Sequence, residues 1–148
     1  MFLIILAAGK SKRFENTIPK QYTKLGNKTI LEHSLDAFSD FQQIKKTILV
    51  YNKKHKKYLK KLNLKNVIKI TGGDTRQQST FKALSKIKNM HCKKVLIHDS
   101  ARPFPSKELI NKIISNIKKN DAVIPIIKIN DATKRVEKNI VFKNIERD

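Results

Sequence analysis

The sequence predicts an α/β fold built on a mostly parallel sheet with helices on both faces. Three observations predict it. Apolar strand-like runs alternate with segments of helical spacing over most of the 148 residues. The first run, Phe2–Ala7, is continuously apolar, as suits a strand buried on both faces. The loops rich in Gly, Asp, Arg and Pro all follow strands, and in such sheets ligands lie beyond the carboxyl ends of the strands.

In chain order, Phe2–Ala7 is the first strand, and 8–24 is a polar loop with a short helical turn. Ile30–Phe38 has helical spacing through Ile30, Leu31, Leu35 and Phe38. Lys46–Tyr51 is a second strand. A lysine-faced helix over 54–62 follows, with Tyr58, Leu59 and Leu62 inward. Asn66–Ile70 is a third strand, Thr71–Asp74 a glycine turn and Thr75–Ile87 a helix. Lys94–His98 is a fourth strand and Ser100–Pro105 a loop. Ser106 is placed to cap a helix running to Lys119, with Glu108 in its first turn. Ala122–Ile126 reads as a fifth strand. The tail from Ile129 reads as extended segments, 133–136 and 140–145, around a Glu-Lys-Asn turn. No repeat or linker divides the chain, so residues 1–148 are expected to be one domain, with the tail beginning near 129.

Composition sets further bounds. The net charge is +21, from 33 basic and 12 acidic residues. Lysine makes up all but five of the basic residues and is spread along the chain, with few interleaved aromatics. That pattern argues against a dedicated nucleic-acid surface and leaves attraction for a small polyanion open. A single cysteine, Cys92, excludes an internal disulfide framework and a multi-cysteine metal cluster. The apolar run at Met1–Ala8 is too short to span a bilayer and no leader cleavage pattern follows, so a cytoplasmic protein is expected.

Three segments could carry chemistry. Leu6-Ala7-Ala8-Gly9-Lys10-Ser11-Lys12-Arg13, continuing to Pro19-Lys20-Gln21, puts small residues after a strand, where backbone amides can approach a phosphate, with Arg13 and Lys20 as cations. It is neither a Walker A loop nor a Gly-x-Gly-x-x-Gly fingerprint. In Thr71-Gly72-Gly73-Asp74-Thr75-Arg76-Gln77-Gln78-Ser79, paired glycines permit a tight turn, while Asp74, Arg76 and Ser79 offer polar contacts. A capped helix start explains the same residues and is compatible with anion binding. In His98-Asp99-Ser100-Ala101-Arg102-Pro103-Phe104, Asp99 at a strand tip suits Mg²⁺, and Arg102 suits a phosphate. His33, His55, His91 and His98 read as structural, and no zinc site is visible. The few arginines are informative in so lysine-rich a chain, because four of the five fall within or beside unusual segments.

In combination and order, these segments resemble the 2-C-methyl-D-erythritol 4-phosphate cytidylyltransferase family. The resemblance rests on the Leu-Ala-Ala-Gly…Arg loop, Pro-Lys-Gln-Tyr at 19–22, Gly-Gly-Asp-x-Arg-x-x-Ser at 72–79 and His-Asp-x-Ala-Arg-Pro-Phe at 98–104. Asp131-Ala132-Thr133-Lys134 and Ile145-Glu146-Arg147 extend it. It implies a three-layer, Rossmann-like nucleotidyltransferase fold with the start of an extended β-arm at the C-terminus. The implied reaction transfers CMP from CTP to the polyol phosphate and releases pyrophosphate, in the non-mevalonate route to isoprenoid precursors. The resemblance assigns Arg13 and Lys20 to catalysis, and Ala7, Ala8, Gly9, Gly73, Asp74 and Ser79 to the nucleotide, with Arg76 supporting that loop. It assigns Arg102 and Arg147 to the polyol phosphate and Asp99 to Mg²⁺, and it implies a homodimer joined through the arm. Ser11 and Ser100 stand where many relatives have glycine and alanine. The chain stops after the arm arginine, whereas the family continues with the arm's return, a strand, a helix and a further lysine; it therefore reads as C-terminally incomplete. The alternatives are D-ribitol 5-phosphate as the acceptor, an inactive CTP-binding remnant, and a basic nucleic-acid-binding remnant.

Overall fold

The computed structural model of the chain describes residues 1–10, 17–128 and 133–145. Residues 1–110 and 111–148 form two compact units.

The first unit is organised by four parallel strands: β1 (Phe2–Ala7), β4 (Lys46–Tyr51), β5 (Val67–Thr71) and β6 (Val95–Asp99), in spatial order β5-β4-β1-β6. All six β1 residues are buried, as expected for a strand with neighbours on both edges and cover on both faces. Because side chains alternate along a strand, β1 supplies two cores. Phe2, Ile4 and Leu6 pack with Ile48 and Val50 against Ala83 and Ile87 of α3 (Arg76–Ile87). Leu3 and Ile5 point to the opposite face, where Ile5 is in register with Leu49 and His98. On that face α1 (Ile30–Asp36) and the turn after it bring Phe38 edge-on to His98, with ring centroids 4.9 Å apart. The predicted α/β architecture, parallel and covered on both faces, is therefore present.

Local chemistry accounts for the ends. Thr29 and Glu32 form a reciprocal capping box at the start of α1. Ahead of it, β2 (Lys24–Leu25) and β3 (Lys28–Thr29) make a small hairpin around Gly26, whose φ of 66° suits glycine. The sequence reading missed this hairpin. The lysine-faced helix is shorter than expected: a 3₁₀ turn at Lys53–His55 leads into α2, only Lys56–Leu59. Lysines at 53, 56, 57, 60 and 61 repel at helical spacing, and no acidic residue occupies the first turn. Leu59 is buried as predicted.

Helix α4 (Lys107–Asn116) begins at the predicted cap, with the Ser106 hydroxyl accepting from the Leu109 N–H at 3.1 Å. In the second unit, β7 (Thr133–Glu137) and β8 (Ile140–Ile145) pair antiparallel. Lys138 and Asn139 turn between them at φ 48° and 65°. This is the turn expected within Glu-Lys-Asn, with left-handed geometry at both central residues. The expected strand at 122–126 is absent. Residues 122–128 have no strand partner among the described residues, and Ile124, Ile126 and Ile127 are 79%, 90% and 91% exposed. Apolar content alone does not make a strand without a ladder to join, and Pro125 removes one donor. Among the described residues, no helix is long and apolar enough to cross a membrane.

Candidate functional site

Three loops leave the carboxyl ends of β1, β5 and β6 and meet. The parallel register makes this unavoidable, because Ala7 lies opposite Tyr51, Tyr51 opposite Thr71, and Leu6 opposite Asp99. Backbone bonds continue the association past the strands: the Gly72 N–H donates to the Tyr51 carbonyl at 2.8 Å, and the Ser100 N–H to the Leu6 carbonyl at 3.1 Å.

The first and second loops touch. A Cβ placed on Gly72 would lie 2.5 Å from Ala8 Cβ, 2.8 Å from Ser79 Oγ and 3.3 Å from Val50 Cγ1. Only glycine allows the two loops this separation. Ser79 is buried, and its hydroxyl accepts from the Gly73 N–H at 3.0 Å. Gln78 Oε1 accepts from the Asp74 N–H at 2.9 Å, and Lys82 Nζ donates to the Gly72 carbonyl at 3.1 Å. The start of α3 thus folds back onto the glycine turn. Thr75 caps the helix by accepting from the Gln78 N–H. The capped helix start expected from the sequence is therefore present. Lys10 Nζ lies 3.8 Å from Asp74 Oδ1, a second link between these loops.

The second and third loops are joined by charge. Arg76 Nε donates to Asp99 Oδ1 at 3.2 Å, and Arg102 Nε lies 3.6 Å from Asp99 Oδ2. One carboxylate therefore holds an arginine from each loop. Its side chain is 37% exposed, open enough to exchange an arginine for another cation. No trio of His, Cys, Asp or Glu side chains forms a metal cage among the described residues. A metal ion at Asp99 would therefore complete its shell from phosphate and water.

Lys20 lies in a 3₁₀ turn, Lys20–Tyr22, whose Gln21 is buried and bonded to the first loop. The structure thus brings together Ala7, Ala8, Gly9, Gly73, Asp74, Arg76, Ser79, Asp99 and Arg102, with the Lys20 turn tied to the first loop. Arg13 and Arg147 lie outside the described residues. Gly72 is one of the paired glycines the sequence shows; Gln78 and Lys82 act on main-chain groups and leave no pattern.

His98 is tied to the third loop. Its Nε2–H donates to the Arg102 carbonyl at 2.8 Å, which braces the third loop. Burial pushes its pKa down, with smaller opposing contributions from the bond to Arg102 and the Asp99 charge. Burial also lowers the His55 pKa. Both rings are held neutral in the fold, so the unfolded chain protonates first as pH falls below about 6.5. Stability is therefore expected to be flat above that pH and to decline below it. Replacing His98→Gln, which can donate without titrating, should shallow the decline in a series of thermal melts from about pH 8 to about pH 5. An unchanged slope would mean that His98 does not set the acid limb of stability.

The model of the 2-C-methyl-D-erythritol 4-phosphate cytidylyltransferase family (IspD) matches residues 1–148. A bifunctional IspD/IspF enzyme of Pelagibacter ubique is 48% identical over 145 residues, which are 98% of this chain and 39% of that protein. A 2-C-methyl-D-erythritol 4-phosphate cytidylyltransferase of Thermosipho melanesiensis is 38% identical over 144 residues, 93% of this chain and 63% of that protein. The solved bifunctional IspDF of Campylobacter jejuni superposes with a TM-score of 0.82 at 35% identity, over 99% of this chain and 37% of that one. The 4-diphosphocytidyl-2C-methyl-D-erythritol synthase of Anaerococcus prevotii does so with a TM-score of 0.73 at 32% identity, over 99% and 65%. The chain thus spans less than two thirds of the length of each of these four proteins. With the loops after β1, β5 and β6 meeting at one end of the sheet, the chain belongs to the 2-C-methyl-D-erythritol 4-phosphate cytidylyltransferase (IspD) family.

Proposed function

We propose that this chain transfers CMP from CTP to 2-C-methyl-D-erythritol 4-phosphate and releases pyrophosphate. The observation that carries the reading is the meeting of three strand-end loops through Gly72 against Ala8 and through Arg76 and Arg102 on Asp99. A phosphate oxygen of the acceptor attacks the α-phosphorus of CTP, a new P–O bond forms, and the bond to pyrophosphate breaks. Both reactants are anions, so the barrier is dominated by repulsion and by charge on the equatorial oxygens.

In this reading the loop after Ala7 and the Gly73 turn hold the nucleotide, with Asp74 and Ser79 fixing the turn. Arg13 and Lys20 stabilise charge at the reacting phosphorus, and Arg102 and Arg147 hold the acceptor phosphate. Asp99 provides two carboxylate oxygens, hard donors that suit Mg²⁺ shared with a nucleotide's phosphates. When bound, Mg²⁺ would neutralise phosphate charge and polarise the α-phosphorus. Arg76 and Arg102 keep the carboxylate aimed at the mouth until then. A homodimer joined through the β7–β8 hairpin belongs to the same proposal. Val136, Ile140, Val141 and Phe142 are 52–71% exposed there, and an isolated hairpin is marginal without a packed face.

Pyrophosphate release by the 148-residue chain, with CTP, Mg²⁺ and each acceptor in turn, tests the reading. Release with methylerythritol phosphate at least about tenfold faster than with ribitol 5-phosphate is expected, the difference corresponding to about 1.4 kcal/mol. Release with ribitol phosphate alone would overturn the acceptor assignment. CTP binding without release to either would overturn catalysis by this chain.

A further inference from the structure

Two side-chain amides outside the assigned site hold the loop that follows β1. Gln21 Nε2 donates to the Ala7 carbonyl at 2.8 Å and to the Gly9 carbonyl at 3.2 Å. Asn52 Nδ2 donates to the Ala8 carbonyl at 3.3 Å. The carbonyls of three consecutive residues are thus bonded by two carboxamides from different parts of the chain. Gln21 is only 3% exposed, so its amide cannot turn without setting its oxygen against two carbonyl oxygens in a dry site. Asn52 is committed at both ends: its Oδ1 accepts from the Lys54 N–H at 3.0 Å, starting the 3₁₀ turn after β4.

The chemistry of the loop gives this arrangement a purpose. A backbone loop receives a phosphate with its N–H groups, and its carbonyls repel the same ligand unless a donor occupies them. Here each carbonyl of Ala7, Ala8 and Gly9 has such a donor. The same Gln21 follows Lys20 directly, so its two bonds also tie the lysine-bearing turn to the loop. Asn52 does the equivalent for the end of β4.

We propose that Gln21 and Asn52 are positioning residues for the triphosphate: they neutralise the carbonyls of Ala7–Gly9 and fix the distance between this loop and Lys20. The proposal rests on the reading that this loop receives CTP.

The test compares CTP·Mg²⁺ affinity by calorimetry for the whole chain and three variants, at about pH 8 and about pH 5.5. Gln21→Glu turns a carboxylate onto two carbonyls, Gln21→Met keeps the length without a donor, and Asn52→Asp keeps the acceptor for Lys54 but loses the donor to Ala8. At the higher pH each variant is expected to bind about tenfold or more weakly than the natural chain. At the lower pH Gln21→Glu should regain affinity relative to the natural chain, because its buried carboxyl, readily protonated, can then donate one bond. Gln21→Met should regain none. A merely structural role would not produce this difference in pH profile. Asn52 is less buried than Gln21, so Asn52→Asp carries the test if the Gln21 variants do not fold. If the natural chain fails to bind CTP, the nucleotide reading falls and this proposal with it. If the natural chain binds and the folded variants bind equally well at about pH 8, the positioning role alone is overturned.

Discussion

Asp99→Asn is expected to lower the rate of pyrophosphate release by about a hundredfold or more while leaving the fold nearly as stable. The two effects separate because they depend on different things. Both arginine contacts are made by half-open side chains, with Arg76 64% and Arg102 79% exposed. Ion pairs of that kind contribute about 0–1 kcal/mol to folding. The charge matters instead when two anions are brought together at the mouth. A neutral amide offers one uncharged oxygen in place of two charged ones, so it holds a divalent ion and the two guanidiniums far more weakly, and Arg76 and Arg102 lose their shared anchor together. Steady-state release and a thermal melt on the same preparation check this. Retention of more than about a tenth of the turnover would reduce Asp99 to a tether for two arginines. Asp74→Asn is the contrast: that side chain is 89% exposed and pairs only loosely with Lys10, so a far smaller loss is expected.

Gly72→Ala is the second large effect, and it acts through packing. The added methyl would sit 2.5 Å from Ala8 Cβ. Ala8 has no torsion to turn aside, so the backbone of one loop must move. Overpacking of this kind costs about 1–3 kcal/mol, a fall of several degrees in Tm for a chain of this size. CTP affinity should fall too, since the distance between the first two loops sets the width of the mouth. Gly9→Ala separates the two consequences. Among the described residues a Cβ there meets nothing within 4 Å, and the residue has no left-handed φ. The melt should therefore be unchanged, and any loss of CTP affinity reports a phosphate lying close to the loop. Equal stability of Gly72→Ala and the natural chain would contradict the close approach.

What could be read in the sequence follows from what each feature depends on. β1, β4 and α3 are set by apolar spacing, which is local, and they appear within a residue or two of the expected bounds. The loops after β1, β5 and β6 were legible because Gly, Asp and Arg are costly choices at the ends of buried strands. Gln21 stands in the Pro-Lys-Gln-Tyr segment but its role was not legible, and neither was that of Asn52, because their work is done on carbonyls 14 and 44 residues away. Polar residues serving distant main-chain groups leave no periodicity. The shortened α2 and the unpaired 122–128 segment failed for a related reason. Helical spacing and apolar content were present, but lysine repulsion in one and the lack of a described ladder partner in the other decided the outcome.

Backbone amide shifts on titration with CTP·Mg²⁺ decide whether the three loops make one nucleotide mouth. If they do, Ala8, Gly9, Gly73 and Ser100 move together along one saturation curve with a single Kd. Movement confined to one of the three loops, or centred on the lysine-rich turn at 53–61, would contradict a shared mouth.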